Sequence, residues 1–421
     1  MREMKESGVE WIGSIPASWK IMTIGSLFNV RNEKVNDTDY PPLSVTKFGV
    51  VPQLETVAKS DANDNRKMVL ANDFVINSRS DRKQSCGLST FDGSVSLINT
   101  VLYLKKDAPV VLGFLNYLLK NDGFAEEFYR WGHGIVADLW TTRWQEMKNI
   151  PVPVPPIEEQ EKILSEIILP MDKILRLTAN VFRQIEKLKA YKQSVITEVV
   201  TKGLDPTVTM KDSGVEWLGD VPEHWGVYRI ANLYTERSES GLPELPILTV
   251  SINTGVSDHE IADKDKDRVF IRMEDRTKYK RVCPGDLTYN MMRAWQGAFG
   301  AVRVDGLVSP AYVVAKPKKK IPLDSRYIEA LLRTPVAIEE MHRYSRGIVD
   351  FRLRLYWPEF KNIQICLPPI DEQRRIADYI DEIAAKVDAL IAIKQSKIEK
   401  LEQYKKSLVY EYVTGKREVG E

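Results

Sequence analysis

Residues 1–153 and 206–366 carry their apolar residues in short runs, FVINSR and SVSLINTVLYL in the first stretch and DLTYNMM and AYVVAK in the second. Gly, Asp and Asn break the runs, a pattern that predicts short strands joined by turns. A helical pattern comes next in each stretch, GFLNYLLKNDGFAEEFYRW and DSRYIEALLRTPVAIEEMHRY. Each stretch therefore reads as a mixed α+β domain. Proline clusters, VPVPP at 152–156 and LPP at 367–369, stop the strand pattern.

Each proline cluster leads into a long amphipathic helix, at 154–205 and 367–421. Pro near the start and carboxylates in PPIEEQ and PPIDEQ mark the N-terminal turn, where the helix dipole favours negative charge. Ile167, Ile174, Val181, Leu188 and Val195 fall at heptad a-like positions, and Ile380, Val387, Lys394, Leu401 and Leu408 repeat them. Leu177 and Tyr191, then Ile383, Leu390 and Tyr404, are the expected d-like partners. Such a seam wants a second helix, and the other long helix is the economical one. A helix of about 40 residues spans about 60 Å. Pro170 is expected to kink or interrupt the first helix, and Gln184, Lys394 and Lys397 interrupt the seam, where polar residues can fix register. Read alone, these helices fit a plain packing or dimerisation element as well as a spacer between two readers of a long periodic ligand.

The two halves are one unit written twice. MKESGVEWIGSIPASW (4–19) returns 206 positions later as MKDSGVEWLGDVPEHW (210–225). NIPVPVPPIEEQEKI (from 149) and EKLKAYKQSVITEVVT (from 186) return 213 positions later as NIQICLPPIDEQRRI and EKLEQYKKSLVYEYVT. Asp73 and Asp286 already fit the later offset, so the seven added residues lie in the first third of the second copy. Between matched blocks the copies diverge, as in SRSDRKQSCGLSTFDGS against MMRAWQGAFGAVRVDGL. A shared frame with a divergent middle suits one scaffold carrying two specificities.

Composition narrows this further. The 421 residues hold 60 Lys+Arg against 59 Asp+Glu, which argues against coating nucleic acid through bulk charge but not against local basic patches. Three separated cysteines, Cys86, Cys283 and Cys366, exclude a disulfide framework and a CxxC zinc site. No apolar run approaches the ~20 residues of a membrane helix, and the N-terminus has no secretory h-region, so a cytoplasmic location without membrane association is expected.

Catalytic patterns are missing. There is no phosphate-binding Gly-rich loop, no Asn/Asp-Pro-Pro-aromatic tetrad of amino-methyltransferases, and no metal spacing among the four histidines; His133 alone has a local setting, WGHGIV, suited to touching a phosphate or base. Basic and aromatic clusters are present instead. Arg79, Arg82 and Lys83 lie in a polar loop of the first copy, matched in the second by Arg293, Trp295 and Gln296. Lys278, Lys280 and Arg281 form another cluster and Lys318, Lys319 and Lys320 a third; Arg143, and Arg352 with Arg354, lie near the domain ends. Arg and Gln pair bidentately with guanine and adenine edges. A solvated charged face is the ordinary fate of such residues, and the two strand-connecting loops are the strongest candidates for DNA binding.

The two SG-x-EW-x-G-x-x-P-x-x-W blocks, each trailed by PP-x-x-EQ, resemble the specificity subunit of type I restriction-modification enzymes, over almost the whole chain. The resemblance implies two target recognition domains, each reading one half of a bipartite double-stranded DNA site. It implies that the long helices pack as an antiparallel coiled coil that sets the gap and docks two methyltransferase subunits, with restriction subunits added. Catalysis, with S-adenosylmethionine, ATP and magnesium, would then belong to the partners, and this chain would hold no cofactor or metal and be no enzyme itself. A coiled-coil scaffold or regulatory protein without sequence-specific DNA reading is the alternative.

Overall fold

A computed structural model describes residues 2–53, 65–79, 83–134, 140–260, 275–347 and 353–420. The chain divides into two compact units, the first made of Met1–Phe182 with Gln395–Glu421 and the second of Arg183–Lys394. Each long helix gives one part to either unit.

The first unit is built on a four-stranded antiparallel sheet in the order Cys86–Leu88, Phe74–Asn77, Asn99–Leu104, Phe28–Arg31. The second unit repeats it with Phe299–Ala301, Leu287–Asn290, Tyr312–Pro317 and Tyr234–Glu236. A smaller pairing, Arg66–Val69 with Gly93–Val95, recurs as Lys280–Val282 with Gly306–Val308. Two helices come next in each unit, Leu112–Lys120 and Asp122–Arg130, then Ser325–Leu332 and Pro335–Tyr344. Three of their starts are capped by Asn121, Asp324 and Thr334, whose side chains accept backbone N–H groups the helix cannot pair. Val50 and Val256 stand in the same hairpin strand at the earlier offset, whereas Lys67 and Lys280 stand in the same strand at the later one. The seven added residues therefore enter between Val256 and Lys280.

The long helices are Ile157–Lys202 and Ile370–Val413. Pro170 does not interrupt the first: a proline removes one intrahelical bond, and Ile167, Met171 and Ile174, buried on either side of it, hold the turn in the core. In the second unit the helices run antiparallel, with Lys192 Nζ 2.8 Å from Asp388 and Lys394 Nζ donating to Gln184 Oε1 at 2.6 Å. In the first unit the Tyr412 hydroxyl donates to Glu166 Oε2 at 2.7 Å, which fixes the same sense. Ile167, Ile174, Val181, Ile380, Val387 and Leu408 are buried, and Leu188, Val195 and Leu401 are half-buried. The d-like positions are a correction. Leu177, Tyr191, Leu390 and Tyr404 are exposed, and only Ile383 is half-buried. The seam is completed one residue later, by buried Met171, Ile185, Val199 and Tyr412.

At the foot of each long helix the repeated motifs meet. The buried Trp19 indole donates to Glu159 Oε2 at 2.8 Å, and Trp225 donates to Glu372 Oε1 at 3.3 Å. The next residue, Gln160, is fully buried; its Oε1 accepts the Val111 N–H at 2.7 Å and its Nε2 donates to the carbonyls of Pro109 and Pro155. Gln373 does the same to Asp324 and Pro368. The EQ of each motif is thus a clamp as well as a source of helix-terminal charge.

Replacing Gln160 with Leu keeps the volume and strands the Val111 N–H and two carbonyls. The expected cost is about 1–3 kcal/mol, the usual cost of unpaired buried polar groups. Hydrogen exchange of the full chain, resolved to the first unit, checks it; unchanged protection there would contradict the clamp.

Candidate nucleic-acid interface

In the first unit the candidate loop leaves the sheet at Asn77. The Asn77 Oδ1 accepts the Arg79 N–H at 3.0 Å, and Arg79 itself is exposed. The Thr142 N–H donates to the Ser78 carbonyl at 3.0 Å, and a β-bridge joins Arg79 to Thr141. Arg143, exposed at the start of the short helix Trp144–Met147, follows two residues after the bridge partner of Arg79. Lys83 is less available: its Nζ lies 2.8 Å from Glu126 and 4.7 Å from the Tyr129 ring centre. Arg82 lies outside the described residues.

The second unit repeats the arrangement with different side chains. The Leu355 N–H donates to the Met291 carbonyl at 2.8 Å, and Arg346 and Arg354 exchange two backbone bonds of 2.9 Å, as His133 and Thr141 do at 3.1 and 3.0 Å. Arg354 is exposed, and Arg352 lies outside the described residues. Arg293 opens a one-turn helix, Ala294–Gln296, ended by Gly297 at φ +91°, a left-handed conformation that glycine tolerates. Trp295 donates its indole N–H to the Met292 carbonyl at 3.0 Å and sets its ring edge-on to His342. Gln296 is exposed.

The cluster at 278–281 is not one patch. Lys278 sits 3.8 Å from Asp275. Arg281, on the opposite side of its strand from Lys280, lies 3.5 Å from Asp305. Lys280 Nζ donates to the Tyr312 carbonyl at 2.7 Å. Burial pushes the Tyr312 phenol up, and the Arg293 charge offsets part of that. The first unit makes the same bond, Lys67 Nζ to the Asn99 carbonyl at 2.7 Å. Lys67 and Asn32 line a groove of about 420 Å³ with Arg143, Ser78, Thr100 and Gln145. Burial pulls the Lys67 ammonium below the usual lysine range. Lys67 and Asn32 were missed in the sequence; aligning Lys67 with Lys280 at the later offset would have found the first.

At the opposite end of the strand that launches each loop lies one repeated ion pair. Arg31 Nε is 2.7 Å from Asp73 Oδ2, and Arg237 Nε is 2.9 Å from Asp286 Oδ2. The same carboxylates accept the Leu70 and Cys283 N–H groups at 2.9 Å. Burial pushes the Asp286 carboxyl up while Arg237 draws it down. These carboxylates are spent on structure. Burial pushes the Cys86 thiol up to about 12 and that of Cys366 to about 11, so both are poor nucleophiles. Among the described residues no cluster of His, Cys, Asp or Glu could hold a metal ion, and no helix is long and apolar enough to cross a membrane.

No protein-family model matches the chain. Over 288 residues it is 26% identical to the type I restriction enzyme MjaVIII specificity subunit of Methanocaldococcus jannaschii, covering 64% of this chain and 62% of that protein. Over 442 residues it is 22% identical to the putative type I restriction enzyme MjaX specificity subunit of the same organism, covering 96% and 95%. The chain therefore spans somewhat under two thirds of the first relative and nearly all of the second. A solved chain from work on complex assembly and conformational transition of the type I R-M system shares the fold, with a TM-score of 0.65, 16% identity and 96% and 99% coverage. The HsdS subunit of Thermoanaerobacter tengcongensis aligns over 98% of this chain at 17% identity with a TM-score of 0.46. By sequence, the chain is like the specificity subunits of type I restriction enzymes.

Arg237→Met alone leaves the Asp286 carboxylate buried and unpaired, at an expected cost of about 3–5 kcal/mol. Adding Asp286→Leu should recover most of it. Denaturant midpoints of the two full-length variants decide: equal loss in both would contradict an ion pair that matters mainly when half of it is removed.

Proposed function

We propose that this chain is the non-catalytic DNA-sequence specificity subunit of a type I restriction-modification complex. Each unit reads one half of a bipartite double-stranded site, and the paired helices set the number of unread base pairs between the halves. The observation that carries this reading is a frame kept with its reading positions changed. The sheet, the ion pair, the lysine-to-carbonyl bond and the loop-closing bridge recur in both units. At equivalent loop positions Arg79 becomes Met292, Lys83 becomes Gln296 and Arg143 becomes Tyr356. A scaffold gains nothing from such selective change, whereas a pair of readers needs it, because sequence is read by base-edge contacts and not by the fold.

The long helices support partner docking. Leu177 and Tyr191 are exposed, and so are their counterparts Leu390 and Tyr404. A surface presented twice in the same form suits two copies of one partner, here the methyltransferase subunits. Restriction subunits add to that core in the cytoplasm. S-adenosylmethionine, ATP and magnesium act on the partner subunits.

Single-molecule sequencing of methylated DNA from cells with and without the chain tests the reading; a bipartite methylated motif that survives deletion would end it. In the complex with methyltransferase subunits, Arg143→Ala is expected to weaken DNA binding and to lower the salt slope by about one, the mark of a lost phosphate contact. Unequal effects on different sequences with an unchanged slope would instead place Arg143 on a base. Adding seven residues to both long helices keeps the heptad phase and lengthens the pair by about 10 Å, roughly three base pairs of duplex. The methylated gap should grow while both half-site sequences stay; changed half-sites with an unchanged gap would refute the ruler.

A further inference from the structure

We infer that Phe48 is an aromatic wedge that the first unit presses against the base stack of its own half-site. The inference rests on the DNA-specificity reading above and names a residue that reading does not use. Phe48 stands at the tip of the hairpin formed by Leu43–Thr46 and Gly49–Pro52, and 95% of its surface is exposed. A lone exposed aromatic is ordinary on a protein surface; what sets this one apart is the turn that holds it and the cations near it.

The tip is built rather than loose. The Thr46 hydroxyl accepts the Phe48 N–H at 3.1 Å and donates to the Gly49 carbonyl at 3.0 Å. Gly49 takes φ +127°, outside the range of ordinary side chains, so the turn holds its shape. The ring is therefore presented by a fixed backbone, which reduces the ordering cost of binding.

Its position and charge point to duplex DNA as the occupant. Gly49 lies so close to Gly87 that a Cβ on Gly87 would sit 3.0 Å from the Gly49 Cα. Gly87 is next to Cys86, which lines one cavity with Arg79 and Lys83. The tip thus touches the strand that leaves the loop bearing exposed Arg79, and exposed Lys47 precedes the ring. Cations that hold a phosphate backbone beside an apolar side chain at the stack are the arrangement by which proteins unstack a base step and kink a duplex. The second unit lacks the wedge. Its tip carries Asn253 and Thr254, and Arg333 ties the Ile252 and Asn253 carbonyls to the body at 2.9 and 2.8 Å. The device is therefore particular to one half-site.

The test uses the full chain in complex with methyltransferase subunits and duplexes carrying the methylated motif, with 2-aminopurine placed in turn at each step of either half-site. The wild-type complex should raise emission at one step of the half-site read by the first unit. Phe48→Ala should abolish that rise and slow methylation about tenfold, the usual loss when an aromatic stacking contact is removed. Phe48→Trp should retain both. Wild-type emission and rate in Phe48→Ala would overturn the wedge, as would slowed methylation with no emission rise at any step in the wild type, which would place the ring against a protein. A wild-type complex that methylates no bipartite site would instead reject the specificity reading itself.

Discussion

A tryptophan hydrogen-bonded to a carboxylate at the foot of each long helix is the constraint on which both units depend. A buried indole N–H needs an acceptor, and Trp19 and Trp225 find theirs in Glu159 and Glu372, which the helix dipole already favours at that place. The same tryptophans form the seat for a helix end arriving from the other repeat. Gly415, at φ +73°, closes the second helix against Trp19, and Gly203, at φ +78°, closes the first against Trp225. Arg2 adds a bond to Glu159 and another to the Gly415 carbonyl. Motifs 140 residues apart in the chain are thus one physical object.

This constraint explains why the helices pair in one register. With their two ends held by tryptophan seats, what remains is the seam, and there the polar interruptions are productive. Lys394 at an a-like position reaches Gln184, and Lys192 reaches Asp388 across the helices. A slip by one turn would bury Lys394 without its acceptor, a cost that a purely apolar seam could not impose.

How much is legible in the sequence depends on where each signal lies. The duplication, the short strands and the long helices stand in local patterns and can be read directly. The second stripe of the seam is misplaced because a seven-residue repeat is silent on whether the partner of Ile167 comes at three residues or four. On a straight helix the residue four along lies about 40° from the first and the residue three along about 60° on the other side, so the stripe containing Met171 and Ile185 lies nearer the core than that of Leu177 and Gln184. The candidate loops are located by sequence, but the partners of their cations are not. Glu126 neutralises Lys83 from 43 residues away, and Asp305 meets Arg281 from 24 residues away. Only the fold brings these carboxylates up, so composition alone overcounts the basic surface.

That overcount bears on the proposal that a nearly neutral chain discriminates among DNA sequences. Once Lys83, Arg281 and Lys280 are assigned to Glu126, Asp305 and the Tyr312 carbonyl, the exposed groups of the two candidate regions among the described residues include Arg79, Arg143, Arg354 and Gln296. Phosphate contacts attract every sequence equally, whereas base contacts separate one from another. Specificity is a difference of affinities, in which the sequence-blind part cancels; what that part adds is time spent at wrong sites. A reader that commits several of its cations internally adds less of that sequence-blind part. Under the proposed function, the rest of the grip on the duplex would fall to the partner subunits.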